Sequence, residues 1–258
     1  MPKEADIRIK QAIAALLKGR GFKVDIIRPR PGRSTADLMA QKGGQTFVVE
    51  IKDKFDDPAM TEREAVLLEQ GHIVSRSESM GSRNNMSGVI QNGVNQLIEH
   101  CDDGDCFRVL WLNARGRDSE LQVRQLRATL YGIAQLVDFG SKPQDSRECY
   151  YFHESSFFTH RAVLDGAIVA TDQHGSLCIN SYSPRLRTFR ESALVSTFEE
   201  GVCDPENLER ASRIYVADCD HERQDGKALL DYIRRKYGRE RLYNLGIEQH
   251  SAEMHVRP

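Results

Sequence analysis

TADLMAQKGGQTFVVEIKDK, residues 35–54, contains two runs with strand character, 35–41 and 46–54, separated by a pair of glycines. A Gly-Gly pair between strand-like runs predicts a tight hairpin, because the favoured two-residue turns need positive φ values at their centre. If Gly43 and Gly44 form that turn, residues that face each other across the hairpin have numbers that sum to 87. The stretch therefore predicts both the two strands and their register.

This register places two carboxylates on one face of the hairpin. Asp37 lies directly opposite Glu50, and directly opposed residues project to the same face with Cβ atoms about 5 Å apart. Side chains alternate along a strand, so Lys52 shares the face of Glu50, while the large apolar residues of the second strand point into the core. We therefore expect Asp37, Glu50 and Lys52 to form one polar cluster.

The predicted cluster has the chemistry of a metal site. Two carboxylates that face each other repel, which costs stability unless a positive charge lies between them. Oxygen ligands suit hard divalent ions such as Mg²⁺ and Mn²⁺. A metal that polarises phosphate, with the Lys52 ammonium for the developing charge, is what phosphodiester hydrolysis requires. The alternative is a solvent-facing strand that carries charge, and the like charges of Asp37 and Glu50 argue against it.

The composition is that of a globular protein with a locally basic segment. The chain has 258 residues, of which 40% are hydrophobic and 29% charged, and its net charge is −2. Residues 1–54 carry twelve Lys and Arg against six Asp and Glu, a net +6, so the rest of the chain has a net charge of −8. This distribution fits local phosphate binding, although a solvated surface explains it equally well.

The apolar pattern predicts an α/β protein. In chain order, it predicts a helix over 3–18, a strand over 22–28, the two hairpin strands, a helix over 61–70, a helix over 88–100 and a strand over 107–112. Serine, glycine and asparagine residues between 75 and 87 predict a mobile loop. The remainder predicts helices over 119–132 and 225–237, strands near 149–153 and 213–218, and a hairpin of 163–171 with 176–182. We interpret residues 1–140 as a core and residues 141–258 as an accessory α/β region. The sequence leaves open whether this region continues the same sheet or forms its own subdomain.

Asp37, twelve intervening residues and then Glu50-Ile51-Lys52 resemble the motif of the PD-(D/E)xK nuclease superfamily, which has the restriction-endonuclease-like fold. The core order of that fold, a helix, three strands, a helix and a strand with a central mixed sheet, is also the order predicted for residues 3–114. The resemblance implies that Asp37, Glu50 and the backbone carbonyl of Ile51 bind Mg²⁺ or Mn²⁺, and that Lys52 assists catalysis. It implies a metal-dependent deoxyribonuclease.

Two helices carry further candidates for this site. Many relatives have an acidic residue on the first helix, where this chain has Lys10. Asp6, one turn earlier, is the nearest candidate metal ligand, although it also favours the helix N-terminus through the macrodipole. Relatives often carry a glutamine on the second core helix. Gln96 and Gln91 are candidates for it, and an ordinary surface position is the alternative for both.

A proline-stiffened segment leads into the hairpin and carries three arginines. Arg28, Arg30 and Arg33 are candidate phosphate contacts, or else part of a solvated loop. We expect DNA as the nucleic acid, because the sequence has no aromatic-rich RNA-binding motif.

The sequence leaves the biological setting open. Restriction, phage defence, repair and mobile-element processing all use this family. A catalytically degenerate subunit that binds DNA or scaffolds a larger complex is the main alternative, and Lys10 supports it. A homodimer and a nuclease subunit that is active only within a larger complex are also compatible with the sequence. We expect a cytoplasmic protein without membrane contact, because no apolar run reaches spanning length and residues 1–10 do not resemble a signal peptide.

Overall fold

In a computed structural model, the chain folds around a seven-stranded mixed sheet. The structure describes residues 2–28, 35–100, 106–198, 200–246 and 249–255. Among these residues, no helix has the length and apolar character needed to cross a membrane.

The described residues form eight helices and thirteen strands. The helices are α1 (Pro2–Gly19), α2 (Pro58–Glu69), α3 (Asn84–His100), α4 (Ser119–Tyr131), α5 (Ser156–Thr159), α6 (Leu186–Arg190), α7 (Pro205–Arg210) and α8 (Gly226–Tyr237), with a 3₁₀ turn at Val195–Thr197. The strands are β1 (Lys23–Ile26), β2 (Leu38–Lys42), β3 (Gln45–Lys54), β4 (Val74–Ser79), β5 (Cys106–Ala114), β6 (Ala134–Asp138), β7 (Asp145–Tyr150), β8 (Gly166–Ala170), β9 (Gly175–Ile179), β10 (Val202–Cys203), β11 (Tyr215–Val216), β12 (Leu242–Asn244) and β13 (His250–His255).

The large sheet has the strand order β1-β2-β3-β5-β8-β9-β10. The first three strands are antiparallel, β3, β5 and β8 are parallel to one another, β8 and β9 are antiparallel, and β9 and β10 are parallel. This confirms an α/β protein with a central mixed sheet. Strands from both sides of residue 140 belong to this sheet, so the C-terminal half continues it.

Helices cover both faces of the β3–β5 region. Successive side chains of these parallel strands point to opposite faces, and both faces carry apolar residues that are buried by a helix. On one face, Ile13 and Leu17 of α1 belong to the same core cluster as Val49. On the other, Ile90 and Val94 of α3 belong to a cluster with Leu110 and much of the C-terminal half. Glu50 and Lys52 of β3 project toward α3, next to Gly93, where Glu50 is buried and Lys52 is partly exposed.

Most elements predicted from local pattern are present. Helices α4 and α8 and the antiparallel pair β8–β9 correspond to predicted elements. The loop predicted over 75–87 is wrong: Val74–Ser79 forms β4, which pairs with β13 at the other end of the chain, and α3 starts at Asn84. A partner strand so distant in sequence leaves no local signal. The small sheet β11-β7-β6-β12 was predicted only in part, since β6 and β12 were missed.

Candidate functional site

The β2–β3 hairpin has the predicted turn and register. Gly43 and Gly44 have φ values of +60° and +74°, as a two-residue hairpin turn with two positive φ values requires. Leu38 pairs with Val49, and every pair from there to the turn has residue numbers that sum to 87. The turn chemistry therefore determines which face of β3 each side chain occupies.

Asp37 lies just before β2, and its position differs in detail from the prediction. Its backbone N–H donates to the Val49 carbonyl at 3.1 Å, although Val49 already pairs with Leu38. The regular ladder therefore stops short of the predicted Asp37–Glu50 pair. The Asp37 carboxylate instead accepts a hydrogen bond through Oδ2 from the Ile51 backbone N–H at 2.8 Å. Because the N–H and C=O of one strand residue point to the same side, the Ile51 carbonyl also points toward the Asp37 side of β3.

Glu50 is a buried carboxylate with one unused oxygen. Its side chain is 1% exposed, and Oε1 accepts from Lys52 Nζ at 2.7 Å. Oε2 is buried and has no hydrogen-bond partner among the described residues. Burial, followed by the charge of Asp37, raises the pKa of Glu50 to about 8 against the opposing effect of Lys52. Glu50 is thus a buried carboxyl group whose charged form is disfavoured by its surroundings, and one of its oxygens is unsatisfied.

Helix α3 closes the site from the other side. The Lys52 ammonium contacts the side-chain carbonyl of Gln96 as well as Glu50. Gly93 permits this close approach: a Cβ there would lie 2.6 Å from Leu110 Cδ2 and 3.4 Å from Lys52 Cε. Gln96, one of the two glutamines proposed from the sequence, therefore reaches Lys52. The other, Gln91, is exposed and pairs with Asn95 at 2.8 Å.

The contacts of Lys10 on α1 are the main feature that the sequence did not predict. Its Nζ lies 2.6 Å from Asp37 Oδ1 and 2.8 Å from Asp6 Oδ2. Burial alone would lower the pKa of Lys10, but its hydrogen bonds to Asp37 and Asp6 outweigh that effect and raise it. Asp6, the candidate ligand on this helix, has a side chain that is 54% exposed and is linked to Asp37 through Lys10.

Ammonium groups already pair with both carboxylates, Lys10 with Asp37 and Lys52 with Glu50. The sequence placed Lys52 beside Glu50 but did not reveal that Lys10 pairs with Asp37. Within the described residues, no group of three or more His, Cys, Asp and Glu side chains is arranged to hold a metal ion. The oxygens at this position are Glu50 Oε2, which has no partner among the described residues, the Ile51 carbonyl and the Asp37 carboxylate, each of whose oxygens already has one contact. Oxygen donors are of the type that a hard divalent ion prefers, and the unsatisfied Oε2 is the observation that favours such an ion.

A second polar cluster lies where β3 and β5 end. Trp111 Nε1 donates to Asn113 Oδ1 at 2.8 Å, and Asn113 Nδ2 donates to Asp53 Oδ1 at 3.1 Å. Arg115 Nε donates to the same Asp53 oxygen at 3.1 Å. The chain of contacts holds a partly exposed guanidinium near the end of the strand that carries Lys52. The sequence signal was the polar Asn113 and Arg115 directly after an apolar strand.

Of the three arginines predicted to contact phosphate, the structure describes one. Arg28 follows β1 and is exposed. Arg30 and Arg33 lie outside the described residues.

Comparison of the chain with protein-family models, with curated proteins and with solved structures finds no match in any of the three.

Proposed function

We propose that the protein is a metal-dependent nuclease that hydrolyses phosphodiester bonds of DNA, built on a restriction-endonuclease-like core. The order α1, β1, β2, β3, α3, β5, with α2 and β4 inserted before α3, supports the fold. The observation that carries the function is Glu50 Oε2, an unpaired oxygen of a buried carboxylate, beside Asp37 and Lys52. A buried acceptor without a partner is costly, and a bound cation would remove that cost.

Each residue has a role that follows from its contacts. Glu50, Asp37 and the Ile51 carbonyl would hold Mg²⁺ or Mn²⁺, and the Ile51 N–H fixes the orientation of Asp37. When bound, the ion supplies Lewis-acid activation of the phosphate and of water. Lys52, held between Glu50 and Gln96, places its ammonium beside the negative charge that develops on the phosphate.

Nucleic-acid contacts would come from cations outside this cluster. Arg115 is oriented by Asp53 and 29% exposed, which suits a phosphate contact. Arg28, Arg30 and Arg33 remain proposed DNA contacts, and DNA remains the proposed partner.

A second candidate function is DNA binding without cleavage, as a degenerate nuclease-fold subunit. The pairing of Lys10 with Asp37 favours it, because an ammonium already neutralises one of the two proposed metal ligands.

A cleavage assay separates the two functions. Purified protein is incubated with supercoiled plasmid, linear duplex, single-stranded DNA and RNA, in Mg²⁺, Mn²⁺ or EDTA. We expect DNA cleavage that requires the metal, is lost in Lys52→Ala and is retained in Lys23→Ala, a change of the same type at an exposed residue of β1. Binding without cleavage in either metal would favour the degenerate subunit, and cleavage that survives Lys52→Ala would contradict the proposed site.

A further inference from the structure

The environment of Asp37 limits how many ions the site can hold. Oδ2 accepts from the Ile51 N–H at 2.8 Å, and Oδ1 lies 2.6 Å from Lys10 Nζ. Each oxygen of an ionised carboxylate has two lone pairs, so an ion shared with Glu50 would use the second lone pair of Oδ2, on the side of β3. A second ion on the α1 side would have to occupy the volume of the Lys10 ammonium.

The charges of the site also favour one divalent ion over two. With all carboxyl groups ionised, Asp6, Asp37 and Glu50 oppose the ammonium groups of Lys10 and Lys52, which leaves one net negative charge. One divalent ion reverses that charge to one net positive charge, which a single phosphodiester balances. A second divalent ion would leave an excess of positive charge in a site that is largely withdrawn from water, and this is unfavourable.

We infer that the site binds a single divalent ion and that the Lys10 ammonium, clamped between Asp6 and Asp37, takes the place of a second one. This inference rests on the proposed function. Lys10 is a positioning residue in this account: it orients Asp37 through Oδ1 and adds a fixed positive charge next to the reacting phosphate. It also repels the bound ion, so it weakens metal binding while it adds positive charge at the reaction centre.

The first test counts ions without nucleic acid. Mn²⁺ is titrated into the metal-free protein, and free Mn²⁺ is followed by electron paramagnetic resonance. We expect one Mn²⁺ per wild-type chain and two in Lys10→Glu, where a carboxylate replaces the ammonium. Arg8→Glu is the matched control: it makes the same charge change at an exposed position of the same helix, and it should bind one. Two ions per wild-type chain, or equal stoichiometry in Lys10→Glu and Arg8→Glu, overturns the inference.

The second test uses Lys10→Met, which keeps an unbranched side chain one atom shorter and removes its charge. Loss of repulsion between the ammonium and the ion should tighten Mn²⁺ binding by roughly 3- to 10-fold. Cleavage at saturating Mn²⁺ should nevertheless slow by about tenfold or more, because positive charge beside the phosphate is lost. Lys10→Arg keeps the charge and should bind one ion and retain most of the rate. Circular dichroism melting confirms that each variant is folded before its ions are counted.

The direction of the two changes identifies the role of Lys10. If Lys10→Met binds Mn²⁺ more weakly and cleaves more slowly, Lys10 has only a structural role. If the variant binds Mn²⁺ more tightly and cleaves faster, Lys10 inhibits the site. Either result overturns the inference. Wild-type protein that cleaves DNA with two bound ions also overturns it but leaves the proposed function intact. Wild-type protein that neither binds Mn²⁺ nor cleaves overturns both.

Discussion

Glu50→Gln should make the metal-free protein more stable at alkaline pH. Burial and the neighbouring Asp37 raise the pKa of Glu50 from 4.5 to about 8 in the folded protein. The folded state therefore holds the Glu50 proton over a pH range in which the unfolded state has released it. Stability must fall as pH rises from about 5 to about 8, because the folded state binds more protons in that interval. Glutamine has a similar shape and no charge, so the variant lacks this loss.

The size of the effect follows from the same pKa values. Each pH unit within the interval changes the free energy of unfolding by about 1.4 kcal/mol. Three units correspond to roughly 4 kcal/mol. We therefore expect the free energy of unfolding of Glu50→Gln to exceed that of the wild type by about 2 to 4 kcal/mol above pH 8, where the lower value allows for the weakened contact with Lys52. Solvent screening reduces it little, because the Glu50 side chain is 1% exposed. The gain is thus a large part of the stability of an ordinary domain.

Urea denaturation in EDTA at pH 5, 7 and 9 measures this difference. We expect wild type and Glu50→Gln to be within about 1 kcal/mol of each other at pH 5 and to diverge as pH rises. Glu191→Gln is the control, since that side chain is 72% exposed, and it should follow the wild type at every pH. Parallel curves for wild type and Glu50→Gln would refute the claim that Glu50 is a buried, incompletely satisfied carboxylate.

Three further substitutions test the surroundings of the site. Asp37→Asn should lower the metal-free free energy of unfolding at pH 7 by about 1–3 kcal/mol, since this carboxylate has an ammonium partner; urea denaturation showing unchanged or higher stability would contradict that pairing. Gly93→Ala should cost about 1–3 kcal/mol by overpacking and also slow cleavage, whereas Gly88→Ala, in open space on the same helix, should gain about 0.5–1 kcal/mol; equal melting temperatures would argue against close approach of α3. Arg115→Ala should reduce the slope of log K against log salt for DNA binding by about 1, while Arg187→Ala, at a side chain that is 92% exposed, should leave it unchanged; identical slopes would exclude Arg115 as a phosphate contact.

Features fixed by neighbouring residues could be predicted from the sequence. The Gly43-Gly44 turn determined the hairpin register, and alternation along β3 then placed Glu50 and Lys52 on one face. Helical periodicity located α3, and the resemblance to the nuclease superfamily then suggested Gln96 as a side chain that reaches the site. The register and the alternation need only a short stretch of chain and one geometric rule each.

Features that depend on packing between distant elements could not be predicted. The pairing of Lys10 with Asp37 depends on how α1 rotates when its apolar face packs on the sheet. The irregular end of β2 at Asp37 is a local departure from the ladder that no residue pattern announces. From the sequence, Gly93 is an ordinary helical glycine, and only its contacts with Leu110 and Lys52 show why a larger residue would not fit.

The location of a bound ion tests the central claim most directly. Crystals grown with Mn²⁺, measured at a wavelength where manganese scatters anomalously, reveal that location without reference to activity. The proposed function predicts an anomalous peak within coordination distance of Glu50 Oε2 and the Asp37 carboxylate, and no such peak in Glu50→Gln. The single-ion inference adds that each chain has only this one peak. Fully occupied Mn²⁺ elsewhere, or an Oε2 that stays uncoordinated in saturating Mn²⁺, would contradict the proposed function.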